Sequence, residues 1–162
     1  MNALLAPLRE LGGYDEITED LRQKQRVSIS GCVDSQKLHM VYGLGEEFDV
    51  KVIITYSDMK ARELLDDCRL YCKESYFFPA KDLIFYQADI HSNQLTKERI
   101  EVLRHILEGE PITIVTTFSA FMAHQIPLSV WKEKVIHIDA NSIVEEAAIA
   151  RKLVEMGYEK NY

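Results

Sequence analysis

The sequence predicts an α/β domain with a mostly parallel sheet flanked by helices. Three observations carry that prediction: short β-rich runs recur along the chain, amphipathic helical stretches separate them, and cap and turn residues fall at the changes of period. The β-rich runs stand at 26–30, 50–55, 76–78, 112–116 and 135–138. Short apolar strands alternating with helices build a parallel sheet covered on both faces.

The elements follow in order. Ala3, Leu4, Leu5, Leu8 and Leu11 lie at helical spacing, Gly12 and Gly13 break the pattern, and 14–25 resumes it. Whether these helices pack on the domain or splay away is left open by the pattern. After the first β-rich run, the loop 31–38 leads into a helix through Val41 and Leu44. Over 58–71, Ala61, Leu64, Leu65, Cys68, Tyr71 and the following Cys72 form one apolar stripe with Lys60, Arg62, Asp66 and Arg69 outside it, and Ser57 or Asp58 caps the start. Another helix opens near Thr96, runs through Ile100, Leu103, Ile106 and Leu107, and stops at Gly109 with Pro111 beyond. The last has a capping box, Ser142-Ile143-Val144-Glu145, and Gly157 as its terminator.

The chain has 162 residues, 47% hydrophobic and 28% charged, which is the size and composition of one compact domain. No apolar run approaches the about 20 residues of a spanning helix, and the start lacks a basic secretory n-region. A soluble, cytoplasmic protein without membrane contact is expected. With 19 Lys and Arg against 26 Asp and Glu, the net charge of −7 repels phosphate backbones and argues against non-specific nucleic-acid binding. The three cysteines, Cys32, Cys68 and Cys72, fit reduced thiols better than a disulfide framework.

The loop after the first β-rich run could carry chemistry. Gly31-Cys32-Val33-Asp34-Ser35-Gln36-Lys37-Leu38 matches the phosphate-loop pattern G-x-x-x-x-G-K-[ST] at Gly31 and Lys37. Gln36 replaces the second glycine and Leu38 the hydroxyl that would ligate Mg²⁺, while Asp34 adds negative charge where phosphates would lie. Val135 to Asp139 has the form of a strand ending in an acid, but Asp139 followed by Asn141 and Ser142 reads as a turn former. Cys68 and Cys72 read as core thiols, and the five histidines lack metal-ligand spacing. No nucleophile elbow or triad spacing occurs, so no catalytic residue and no metal site is nominated. Phe85 and Tyr86, in the apolar stretch 78–91, are candidate interaction anchors.

Four blocks in order carry a family resemblance: Phe-Phe-Pro-Ala-Lys-Asp-Leu-Ile-Phe-Tyr at 77–86, Lys-Glu-Arg-Ile-Glu-Val-Leu at 97–103, Ile-Val-Thr-Thr-Phe-Ser-Ala-Phe-Met at 114–122, and Leu-Val-Glu-Met-Gly-Tyr-Glu at 153–159. From about Gln25 onward the chain resembles the amino-terminal segment of bacterial transcription-repair coupling factors. That family is a multidomain, ATP-driven DNA translocase that displaces stalled RNA polymerase and recruits nucleotide excision repair. Its amino-terminal region is similar to the excinuclease B subunit, with a helicase-like first domain whose phosphate loop has decayed.

The resemblance therefore implies a fragment of a longer protein, with a helical extension at 1–25, a helicase-like α/β domain at 26–140, and at 141–162 a helix leading into a truncated second domain. Gly31 and Lys37 would be remnants of the phosphate loop. The segment itself would need no cofactor, since ATP and Mg²⁺ belong to motor motifs elsewhere in the family. Its partners would be other domains of the parent protein, and the excinuclease A subunit through the adjoining second domain. RNA polymerase and DNA would be met only by downstream domains. Two alternatives stand beside this scaffold: a nucleotide-binding or hydrolysing module using Lys37 and Asp139, and a stand-alone doubly wound domain binding a small ligand at the carboxyl ends of its strands.

Overall fold

In the structure, a computed structural model, residues 4–80, 89–136, 138–156 and 158 are described. They fall into two compact units, Met1–Ala123 and His124–Tyr162. The first unit holds α1 (Ala6–Arg9), α2 (Tyr14–Arg22), α3 (Asp34–Leu44), β1 (Val50–Thr55), α4 (Asp58–Tyr71), β2 (Ser75–Phe78), α5 (Asp89–Glu108), β3 (Ile112–Thr117) and α6 (Phe118–Met122). The second holds α7 (Leu128–Lys134) and α8 (Glu146–Glu155).

The sheet is parallel in order β1-β3-β2, with Val50 opposite Ile112, Thr55 opposite Thr117, and Ser75 opposite Thr113. Parallel neighbours need crossovers, and α4 and α5 supply them. On one face Leu38 of α3, Ala61, Leu65 and Cys68 of α4, Phe77 and Val115 form a buried cluster joined by Ile53. On the other, Val102 and Ile106 of α5 pack with Ile112, Ile114, Tyr76 and Phe78. The central strand β3 is buried along its whole length, which is why its sequence is a nearly unbroken β-branched run. Coverage stops short of β1. Val52 lies on the same face as its register partner Ile114, yet it is 46% exposed and Ile114 only 7%.

Local signals explain the helix ends. Ser57 Oγ accepts the Lys60 N–H at 3.2 Å and caps α4, whose span is the one the sequence predicts. α5 stops where Gly109 takes φ +73° and the Glu110 N–H closes on the His105 carbonyl at 3.1 Å. It begins seven residues before the expected Thr96, in a stretch rich in Ser, Asn and His whose weak helix propensity hides the start.

Three expectations are corrected. Segment 26–30 joins no ladder among the described residues; only Val27 is even half-buried, so the β-rich composition finds no neighbouring strand there. Residues 135, 136 and 138 form no strand either, with Val135 and Ile138 exposed. The capping box is displaced by a tighter competitor: Asp139 Oδ1 accepts the Asn141 N–H at 2.8 Å, and Ser142 Oγ accepts the Asp139 N–H at 3.0 Å. Ser142 is thereby used in a turn, and α8 opens at Glu146 with Glu145 as an N-cap that makes no side-chain bond. Gly157 lies outside the described residues.

The amino-terminal helices pack rather than splay. Leu5, Leu8 and Tyr14 form a second buried cluster with Met40 of α3, and the His39 ring bonds the Leu4 carbonyl. The approach is close because Gly43 has no Cβ; one built there would lie 2.3 Å from Leu8 Cδ1.

Candidate functional site

The turn at 31–33 and the first turns of α3 and α4 form the candidate site; the loop expected at 31–38 is helical from Asp34 onward, because the Lys37 N–H already bonds the Val33 carbonyl. Gly31 turns the chain at φ +82°, a conformation that glycine alone adopts without strain. Val33 is the N-cap of α3 and has no side chain to accept from the first turn, so that turn's N–H groups find no side-chain cap.

Lys37 Nζ donates to Asp34 Oδ1 at 2.9 Å, one helical turn back, with both side chains well exposed. The Lys37 hydrogen bond, with the Lys37 and Lys60 charges behind it, holds the Asp34 carboxyl below the usual carboxylate range. Lys60 in turn donates to Glu63 at 3.1 Å. Each lysine at this end is thus balanced by a carboxylate of its own helix. Leu38 points the other way, 5% exposed, into the cluster with Ala61, Leu65 and Val115. The position where the phosphate-loop pattern needs a metal-ligating hydroxyl is a core position here.

The hydroxyls at the carboxyl end of β3 are also engaged. Thr117 Oγ1 accepts the Ala120 N–H at 3.3 Å, capping α6, and lies 3.0 Å from Ser119 Oγ. Thr116 Oγ1 donates to the Phe78 carbonyl at 2.7 Å. Apolar side chains are exposed beyond the strand ends: Tyr56 after β1, and Phe118, Phe121 and Met122 on α6.

Of the other residues singled out by the sequence, Asp139 belongs to the second unit and forms the turn described above; the backbone N–H of Asn141 and the Ser142 hydroxyl hold its carboxyl below the ordinary range. Phe85 and Tyr86 lie outside the described residues. Cys68 is a core thiol whose burial pushes its pKa up to about 11, and Cys72 is the C-cap of α4.

Sequence reasoning missed two arrangements. Arg99 is buried, donates from Nη1 to the Pro79 carbonyl, and places its guanidinium 4.2 Å from the centre of the Phe78 ring; burial pushes its pKa down. Its only signal was membership of the Lys-Glu-Arg block. The other is His105, Glu108 and Glu110, whose potential ligand atoms lie within 4.8 Å of one another. Arg104 already supplies the cation there, donating to Glu108 at 2.6 Å and meeting His105 Nε2 at 3.1 Å. On its other side the ring meets the Glu110 carboxylate through Nδ1. The group locks the end of α5 to the Tyr76 ring, 4.5 Å away.

The fold thus defines an α/β domain of parallel type, and among the described residues no helix is long and apolar enough to cross a membrane. No family model matches the chain. It is 25% identical over 146 residues, 88% of its length, to the transcription-repair-coupling factor of Bacillus subtilis, of which the match covers 12%. It is 24% identical over 111 residues, 67% of its length and 10% of the relative, to the protein of that name from Staphylococcus epidermidis. To the UvrABC system protein B of Treponema pallidum it is 28% identical over 91 residues, 56% of the chain and 13% of the relative. The chain therefore spans only about an eighth of the length of the curated relatives it matches. These matches agree with the resemblance to the excinuclease B-like amino-terminal segment of transcription-repair coupling factors, and they relate the chain to DNA-repair proteins.

Proposed function

We propose that the chain is a non-catalytic, helicase-like scaffold segment of a transcription-repair coupling factor, with Gly31 and Lys37 as remnants of a phosphate loop. The observation that carries this reading is the burial of Leu38 in the core at the position of the metal-ligating hydroxyl. The pairing of Lys37 with Asp34 supports it, since a triphosphate would have to displace a carboxylate fixed in the same turn. On this reading the segment binds no ATP or Mg²⁺ itself. The full-length protein displaces stalled RNA polymerase and translocates on DNA with motor domains further along, and the excinuclease A subunit is met by the adjoining module. The role of the segment is to pack against other domains of that protein and to position that module.

Titration calorimetry of the chain with Mg-ATP tests this. No binding heat at micromolar to millimolar nucleotide is the expected result for the parent and for Lys37→Ala alike. Micromolar binding that Lys37→Ala abolishes would overturn the reading in favour of a nucleotide-binding module.

A further inference from the structure

β3 lies between β1 and β2, so the sheet has two outer edges among the described residues. At β2 the direction of the main-chain groups is set by one bond: the Glu74 carbonyl accepts the Thr113 N–H at 2.9 Å. Main-chain groups alternate along a strand, so those of Tyr76 and Phe78 also face β3, while those of Ser75 and Phe77 face outward. Such an outward row is a template on which another extended chain can pair.

α4 lays two arginines along this row, seven residues and hence two turns apart. Arg69 Nε donates to the outward Ser75 carbonyl at 3.4 Å. The Arg62 guanidinium sits 4.5 Å from the centre of the Phe77 ring and reaches both carboxylate oxygens of Glu98 on α5, at 3.4 and 3.3 Å. Gln94 donates to the same carboxylate at 3.4 Å and helps to orient it. The Arg62–Glu98 pair is therefore a strap from one helix to the other across the β2 edge. It crosses a groove of about 260 Å³ whose walls also carry Asp66 and Glu101.

An incoming strand would have to part Arg62 from Glu98, lift Arg69 from Ser75, and cover four or more charged side chains without giving them partners. Removing charges from water without compensation is strongly unfavourable. We propose that Arg62, Arg69 and Glu98 guard the outer edge of β2 against main-chain pairing with another polypeptide. A half-exposed ion pair contributes little to folding stability, so the guard acts on association far more than on unfolding.

The test compares the parent chain with Arg62→Ala/Arg69→Ala by sedimentation velocity over a concentration series, with amide hydrogen exchange read at Ser75 and Phe77. The expected result is a weight-average mass at least twofold above the parent at the highest concentration, with exchange at those two amides slowing as concentration rises. A mass equal to the parent's throughout would overturn the proposal. So would added association that leaves the two amides exchanging as in the parent, because the contact would then lie elsewhere. Glu98→Gln, which opens the strap without altering α4, decides by the same two readings if the double variant does not unfold cooperatively. Arg62→Lys/Arg69→Lys, which keeps the charge along the edge, is expected to behave as the parent.

Discussion

The two outer strands of one sheet meet their surroundings in opposite ways. β2 has α4 on one face and α5 on the other, two arginines along its edge, and Phe77 sealed in the core. β1 shares the α4 face through Ile53, but its other face presents Val50, Val52 and Ile54 beyond the reach of α5. Its one basic side chain, Lys51, donates to the Phe48 carbonyl at 2.8 Å. Beside it lies a largely apolar groove of about 470 Å³, with Ile29 and Met40 among its walls. Apolar alternation in a strand thus states which residues could be buried; a covering helix decides which are.

The strongest way to break this contrast is a pair of truncations on the two outer strands. Phe77→Ala should cost about 3–5 kcal/mol, the transfer term plus a cavity that the α4 face cannot close. Val52→Ala removes a side chain already 46% exposed and should cost under about 1 kcal/mol. Urea midpoints at constant slope measure both, and equal losses would mean that the β1 face is covered in solution.

A second, smaller effect shows that the β1 side is not loose throughout. α3 lines the groove through Met40 and Val41, yet where Gly43 meets the amino-terminal helices the packing is so tight that Gly43→Ala would set a Cβ 2.3 Å from Leu8 Cδ1 and 2.9 Å from Tyr14 Oη. A loss of about 1–3 kcal/mol is expected, as for other overpacked sites. Limited proteolysis should at the same time cut the α1–α2 segment faster; unchanged cleavage and midpoint would show that the amino-terminal helices are only lightly held.

The effect that vanishes at neutral pH concerns Cys68, which packs on the α4 face. Its folded thiol is raised to about 11, above the about 8.5 of a free cysteine. For a raised pKa the stabilising contribution is complete below the unfolded value and is lost as pH climbs through the folded one. The unfolding midpoint should therefore decline between about pH 8.5 and 11 by an amount that Cys68→Ala removes. Alkylation at neutral pH should reach Cys32 and Cys72 first. Equal alkylation rates would place Cys68 at an open position.

The resemblance blocks and the phosphate-loop departures were legible from residue identity, because a missing glycine or hydroxyl is a local chemical fact. The α4 span was legible for the same kind of reason, since Ser57 and the apolar stripe act within a few residues. The strap was not: Arg62 and Glu98 are 36 residues apart, and a charged residue outside an apolar stripe looks the same whether it is solvated or stretched across a strand edge. The lock at the end of α5 was hidden likewise, because His105 gained its meaning from Arg104, Glu110 and the Tyr76 ring together.

By itself the sequence determined the alternation of strands and helices, the termini set by Ser57 and Gly109, and the departures from the phosphate-loop pattern at Gln36 and Leu38. Each depends on backbone conformation or side-chain chemistry within one or two turns. Only the tertiary structure decided that 26–30 and residues 135, 136 and 138 form no strand, that Ser142 closes a turn instead of capping a helix, and that β2 carries a strap along its edge while Val50, Val52 and Ile54 of β1 stay exposed. Pairing, burial and competition for a hydrogen bond depend on groups brought together from distant parts of the chain, and no local pattern records which of them arrives.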